Sequence, residues 1–249
     1  LATYVRALRL LEKLDNIGPA RRELVWLYED MGQVYLAAMQ MERAEHVLEK
    51  GLELAVAPDD SRAIGAIQMQ LGLIAAARQD VDSARRRFEQ ALEQMETAQD
   101  LAGMATIWNQ LGSLAWQLQD LDEAEKCYHR ALEMAHKAEH VLMEAQSHMR
   151  LAQIAAHTGR SQVAQNHYAQ AIRIYQEHDL QPALASAEAA LAELLLHTGE
   201  LQNARVHAEA ARAVAESLGP AGRHWEACLL LQRIAEAEGD EEKIIHWRS

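Results

Sequence analysis

The chain has 249 residues, nearly half of them apolar, and a formal charge of -13 at pH 7. A charge of that sign repels a nucleic-acid duplex and an anionic membrane surface, and no apolar run approaches the ~18–20 residues that cross a bilayer, so direct nucleic-acid binding and a membrane span are not expected. Ala, Leu, Glu and Gln abound and only four prolines interrupt the chain, so helix is the expected state throughout.

Residues 1–15 carry Tyr4, Leu8 and Leu11 at helical spacing. A helix is then expected near 20–38 and a second near 41–56, because a repeat of forty residues sets in here. Met31-Gly32, Leu71-Gly72, Leu111-Gly112, Leu151-Ala152, Leu191-Ala192 and Leu231-Gln232 recur at that spacing. Thirteen residues after each large residue stands Ala44, Ala84, Ala124, Ala164, Ala204 and then Ile244. Four further on are Leu48, Phe88, Tyr128, Tyr168 and Ala208, and three beyond those are Gly51, Ala91, Ala131, Ala171 and Ala211. Offsets of three and four place residues on one helical face, and a small residue beside a large one lets two helices approach closely. A Gly inside a helix costs about 1 kcal/mol against Ala, so Gly32, Gly72 and Gly112 imply close packing on a partner helix. Gln232 breaks that rule, and the last unit should pack differently.

The helix breakers keep the same phase. Gly159, Gly199 and Gly239 suit the turn inside each hairpin, and Asp80, Asp120 and Asp240 suit the start of each second helix. Pro19, Pro58, Pro182 and Pro220 fall in the connections between units. The pattern predicts an all-α, single-domain α-solenoid of antiparallel helical hairpins over 1–249. Its units lie at about 20–59, 60–99, 100–139, 140–179 and 180–219, with partial units at 1–15 and 220–249. Read this way the chain starts and stops in mid-unit, as a segment of a longer solenoid, and each end should expose an apolar face.

Chemical motifs are lacking. There is no phosphate loop, no dinucleotide fingerprint and no nucleophile elbow, so no catalytic residue and no cofactor is expected. Cys127 and Cys228 lie far apart without metal-ligand spacing, which suits a reducing, cytoplasmic setting. His136 and His140 are four apart but lack a placed third ligand, so no metal is expected. Arg85, Arg86 and Arg87 form the one basic run, and it reads as a solvated helix face.

The third unit, Trp108-x2-Leu111-Gly112-x2-Ala115 followed by Ala124-x3-Tyr128-x2-Ala131, resembles the tetratricopeptide repeat. The Tyr usual at the Ala115 position is present as Tyr35 in the first unit. That family's usual period is about thirty-four with a Pro after the second helix. Here the period is forty, and Val56 and Glu96 stand where Pro would. Such long units are similar to those of MalT-type bacterial transcription activators, related signalling ATPases, kinesin light chains and spindle-orientation adaptors.

The resemblance implies a right-handed superhelix whose first helices line a concave groove. Carried over by phase, the groove takes Trp26, Glu29, Asp30 and Gln33 from the first unit and Met69, Gln70 and Leu73 from the second. From the central units it takes Asn109, Gln110, Ser113, Trp116, Gln117, Gln146, Met149, Arg150, Gln153 and His157, and from the fifth Glu193, Leu196 and His197. The amides can pair with the backbone of an extended peptide, Trp116 offers an apolar anchor, and Arg150 can meet a carboxylate. Glu29 and Gln33 stand where a chaperone-tail clamp needs cations, so that subfamily is set aside. The function expected is a protein-interaction module, binding a peptide or protein in its groove as the sensor or scaffold region of a larger bacterial regulator. The alternatives are a scaffold that self-associates through its open ends and a sensor of a small-molecule effector.

Overall fold

The computed structural model describes residues 20–219 and 224–239. They fall into two compact units, one ending at Ala138 and the other beginning at Glu139. The first contains α1 (Arg21–Ala37), α2 (Met41–Leu54), α3 (Ser61–Ala77), α4 (Val81–Thr97), α5 (Leu101–Gln117) and α6 (Leu121–Lys137). The second contains α7 (Val141–His157), α8 (Ser161–Glu177), α9 (Gln181–Thr198), α10 (Leu201–Ser217) and α11 (His224–Glu238). No strand occurs among the described residues, and the fold is all-α. Nor is any described helix long and apolar enough to cross a membrane. The expected helix over 1–15, the one from Asp240, and Pro19, Pro220 and Ile244 lie outside the described residues.

Consecutive helices pair as antiparallel hairpins: α1 with α2, α3 with α4, α5 with α6, α7 with α8, and α9 with α10. The small anchors of the second helices, Ala44, Ala84, Ala124, Ala164 and Ala204, are all fully buried. Glycine on the first helix lies against a large residue on the second. A Cβ on Gly72 would stand 2.6 Å from the Phe88 ring, and one on Gly112 would stand 2.7 Å from the Tyr128 ring. Those distances are well inside van der Waals contact, so at both sites the missing side chain is the condition for the ring's position. Ala152 and Ala192 occupy the same phase, both fully buried, and Gln232 is half-buried.

The turns follow a shorter period than the packing. Gly159, Gly199 and Gly239 take positive φ at +73°, +81° and +72°, as helix-stop glycines should. Yet Met39, Gln79, Gln99, Gln119, Glu139 and Asp179 take the same left-handed conformation, at +52° to +62°. From Gln79 onward the left-handed residue thus recurs at steps of twenty, both inside and between hairpins. At Met39, Gln79, Gln99, Gln119, Gly159, Asp179 and Gly199 it closes the same hydrogen-bond pair on the helix before it. At the end of α5, Asp120 N donates to Ala115 O and Gln119 N to Trp116 O, both at 3.0 Å. The next residue then caps the following helix: Asp80, Asp100 and Asp120 accept from Ser83, Gly103 and Glu123 at 3.1, 2.8 and 3.1 Å. His140 does the same through Nδ1, accepting from Met143 N at 3.3 Å. A left-handed backbone costs a residue with a Cβ about 1 kcal/mol more than Gly. Gln119→Gly should therefore raise stability by about 0.5–1 kcal/mol in urea titration; a loss would show that the Gln119 side chain matters more than its backbone.

Pro182 corrects an expectation. It stands in the first turn of α9 rather than in the connection before it, where its missing N–H leaves no helical bond unmade. Pro58 does lie in a connection, and that segment is tied down by Asp60, whose side chain is only 1% exposed. The carboxylate accepts from Arg21 of α1 and from Val56 N at 2.8 Å, while Arg21 also donates to Leu54 O at 3.1 Å. One ion pair therefore joins the start of α1, the end of α2 and the start of α3. Burial pushes the Asp60 carboxyl up, but the hydrogen bonds from Arg21 and Val56 and the charges of Arg21 and Arg22 outweigh it and leave the carboxyl below its ordinary value.

A contact between positions nineteen apart recurs within each of three hairpins. Arg87 donates to Gln68 at 2.8 Å, the Nδ1 atoms of His148 and His167 lie 2.9 Å apart, and His207 Nδ1 lies 2.6 Å from Glu188 Oε2. In the histidine pair one ring must donate and the other accept.

Candidate partner-binding surface

The expected groove residues divide between the two units. Asn109, Gln110, Ser113 and Trp116 belong to α5 of the first, and the others named from Gln146 to His197 belong to α7 and α9 of the second.

In the first unit, Trp26 is 59% exposed on α1, and Asp30 and Gln33 are exposed beside it. Glu29 is half-buried. Its carboxyl is pushed up by burial and by the charge of Asp30, against a smaller opposing effect of Arg62. Gln70 corrects an expectation: it is 4% exposed, packs beside Gly32, and donates from Nε2 to Glu29 O at 3.5 Å. It belongs to the α1–α3 interface and not to an open face. Met69 and Leu73 are half-buried against the α3–α5 core.

On α5 the row is polar and partly buried. Asn109 Nδ2 donates to Ala105 O at 3.2 Å, and Ser113 Oγ lies 3.2 Å from the Tyr128 hydroxyl of α6. Thr106 stands one turn earlier, with its hydroxyl on Ala102 O at 3.0 Å. Gln110 and Trp116 are half-buried, and Gln117 is exposed. This row offers amides and hydroxyls without formal charge, steadied by the ring that fills the Gly112 gap.

In the second unit, Gln146 and Arg150 are exposed on α7, and Arg150 donates to Gln153 Oε1 at 3.1 Å. Met149 is half-buried and packs on the unit's core, so it contributes more to packing than to an open face. His157 is exposed in the last turn of α7. On α9, Glu193 pairs with Arg233 of α11 at 2.9 Å, and His197 Nδ1 lies 2.8 Å from Glu193 O. Leu196 is half-buried. The Tyr168 hydroxyl is raised to about 12 by burial, with the charge of Glu193 adding to it. Tyr175 is raised by burial as well, and Arg150 opposes that rise.

Sequence reasoning missed Thr106, Arg233 and the hydroxyls of Tyr128 and Tyr168. Arg233 follows Glu193 by forty residues, so the repeat phase could have supplied it. The tyrosines were assigned to packing, which accounts for their rings but not for their hydroxyls. His136 and His140 sit on different elements, the last turn of α6 and the cap of α7. Among the described residues no group of three or more His, Cys, Asp or Glu could hold a metal ion.

The family model for the tetratricopeptide repeat matches residues 103–177. No curated protein matches the chain in sequence. Among solved structures, the chain is similar to BtubC (BKLC) from P. vanneervenii, with a TM-score of 0.75 and 21% identity over 84% of this chain and 87% of that one. It is similar to a signal transduction ATPase with a tetratricopeptide repeat sensor from Pyrococcus horikoshii, with a TM-score of 0.80 and 18% identity over 96% of this chain but only 37% of the other. A kinesin light chain of nearly identical repeats from Podosopora anserina has a TM-score of 0.63 and 16% identity, over 83% of this chain and all of that one. At these identities the structures bear on the fold alone. Residues 103–177 are thus tetratricopeptide repeats, and the hairpin fold of the chain is that of tetratricopeptide-repeat proteins.

Proposed function

We propose that the chain is a protein-interaction module that binds an extended peptide on the face presented by its first helices. The observation that carries this reading is the row Thr106, Asn109, Gln110 and Ser113 on α5, partly buried and uncharged in a chain of net charge -13. In the second unit, taken by itself, Gln146, Arg150 and Gln153 give α7 amides and a cation. Such groups satisfy the donors and acceptors of a peptide backbone, and Arg150 adds a cation for a carboxylate. The likeness to an ATPase with a repeat sensor supports reading the module as the sensor or scaffold region of a regulatory protein. In that role the chain binds and does not catalyse.

The test begins by selecting ligands from a displayed library of random peptides. Asn109→Ala combined with Gln110→Ala, both on α5, should weaken the selected peptides about tenfold or more while moving the melting temperature by less than about 2 °C. Unchanged affinity in the double variant refutes the assignment.

Self-association is the second reading. Trp225 and Leu229 on α11 are 57% and 51% exposed, an apolar pair on one helix face. Light scattering across a concentration series separates the two readings, and a strict monomer at high concentration excludes the second.

A further inference from the structure

The second helices α8 and α10 leave a trough between them in the second unit. Ile172 of α8 with Leu191 and Leu195 of α9 make an apolar floor, and the walls carry the amides Gln165 and Asn166 of α8 and Asn203 of α10. Its volume is about 350 Å3, inside the ~300–1,000 Å3 range of ligand sites. This trough is separate from the first-helix residues argued above: none of the residues from Asn109 to His157 lines it.

The ionisable groups around it are already engaged. Glu200 accepts from Gln165 at 2.8 Å and from Asn203 and Thr198 at 3.2 Å. Arg173 pairs with Glu177 at 2.8 Å, and His207 with Glu188 at 2.6 Å. No aromatic ring other than His207 is among its described lining residues, so a sugar or a nucleobase would find little to stack on. What remains is aliphatic surface edged by neutral donors and acceptors. The repeat itself marks this as unusual. Forty residues before Gln162, Gln165 and Asn166 stand Asp122, Glu125 and Lys126, the charged residues expected of a solvated helix face.

We infer that the trough is a second binding site, which takes an uncharged extended segment of a partner polypeptide. An aliphatic side chain of that segment rests on Leu191 and Leu195, and its backbone amides pair with the Gln and Asn walls. A second copy of this chain is a poor occupant, because each copy brings a charge of -13 and like charges oppose the encounter.

The test uses acetyl-leucyl-glycinamide, a small blocked peptide with one aliphatic side chain and three amides. Titrated into the isotope-labelled chain, it should cause saturable NMR shifts in the side-chain amides of Gln165, Asn166 and Asn203, with an affinity in the millimolar range. Ala169 lines the trough and is exposed, so Ala169→Trp fills it without touching the core. That variant should keep the helical circular dichroism and lose the shifts; Asn203→Lys is a second variant with the same expected outcome. No shifts up to about 20 mM, shifts that persist in both variants, or shifts confined to α5, α7 and α9 inner-face amides overturn the site. So does a peptide-free spectrum that changes at the trough with protein concentration, which would make the occupant a second copy.

Discussion

Phe88→Ala should lower stability by about 3–5 kcal/mol, the cost of emptying a filled aromatic site. The ring is 1% exposed and lies over Gly72, between α3 and α4. Gly72→Ala alone should also destabilise, by about 1–3 kcal/mol, since its new Cβ would meet the ring at 2.6 Å. Combined, the two should cost less than their sum. The added methyl then enters space the ring has left, and the pair becomes Ala facing Ala. The fifth hairpin already carries that arrangement in Ala192 and Ala208, both fully buried. A double-mutant cycle in urea measures the coupling, and strict additivity would show that Gly72 is small for some reason other than Phe88.

Asp60→Ala should cost about 3 kcal/mol, because it leaves Arg21 and Val56 N without their buried acceptor. The loss should depend on pH in a defined direction. The folded carboxyl titrates below its ordinary value of 3.8, so its contribution is complete above that value and disappears as the pH falls through the lowered one. The stability gap between the parent and Asp60→Ala, measured by urea unfolding, should therefore be constant from about pH 7 to pH 5 and shrink below about pH 4. A gap that widens on acidification contradicts the ion pair as the source of the effect.

Most helix positions were legible in the sequence because packing and punctuation share one period. The expected pair at 20–38 and 41–56 is observed at Arg21–Ala37 and Met41–Leu54, and the shift by forty carries the match to Ser217. The sixth first helix is described over His224–Glu238, which lies within the expected phase. The turns were half legible. Glycine announces a left-handed residue, so Gly159, Gly199 and Gly239 could be read, whereas Gln, Glu, Asp and Met at the other steps give no such sign. The binding face was legible as a phase but not as a set of exposures. Gln70 occupies a groove phase and is buried, because Gly32 opposite it leaves room for a side chain to turn inward. The trough was not legible at all: it depends on α8 and α10 standing apart over α9, and periodicity along a chain does not report a gap between two helices.

The uniform turn has a bearing on how such a chain can change length. Gln-Asp stands at 79–80, again at 99–100 and again at 119–120, each time as the left-handed residue and the cap that follows it. Excising 80–119 would join Gln79 to Asp120 and restore the same dipeptide in the same backbone. Helix α3 would then run into α6, and Gly72 would find the ring of Tyr128 where it had found that of Phe88. Gene recombination between such equivalent points adds or removes a whole hairpin while leaving every junction native. The architecture therefore lets ancestry adjust the number of repeats, and with it the length of the binding face, without inventing a new joint.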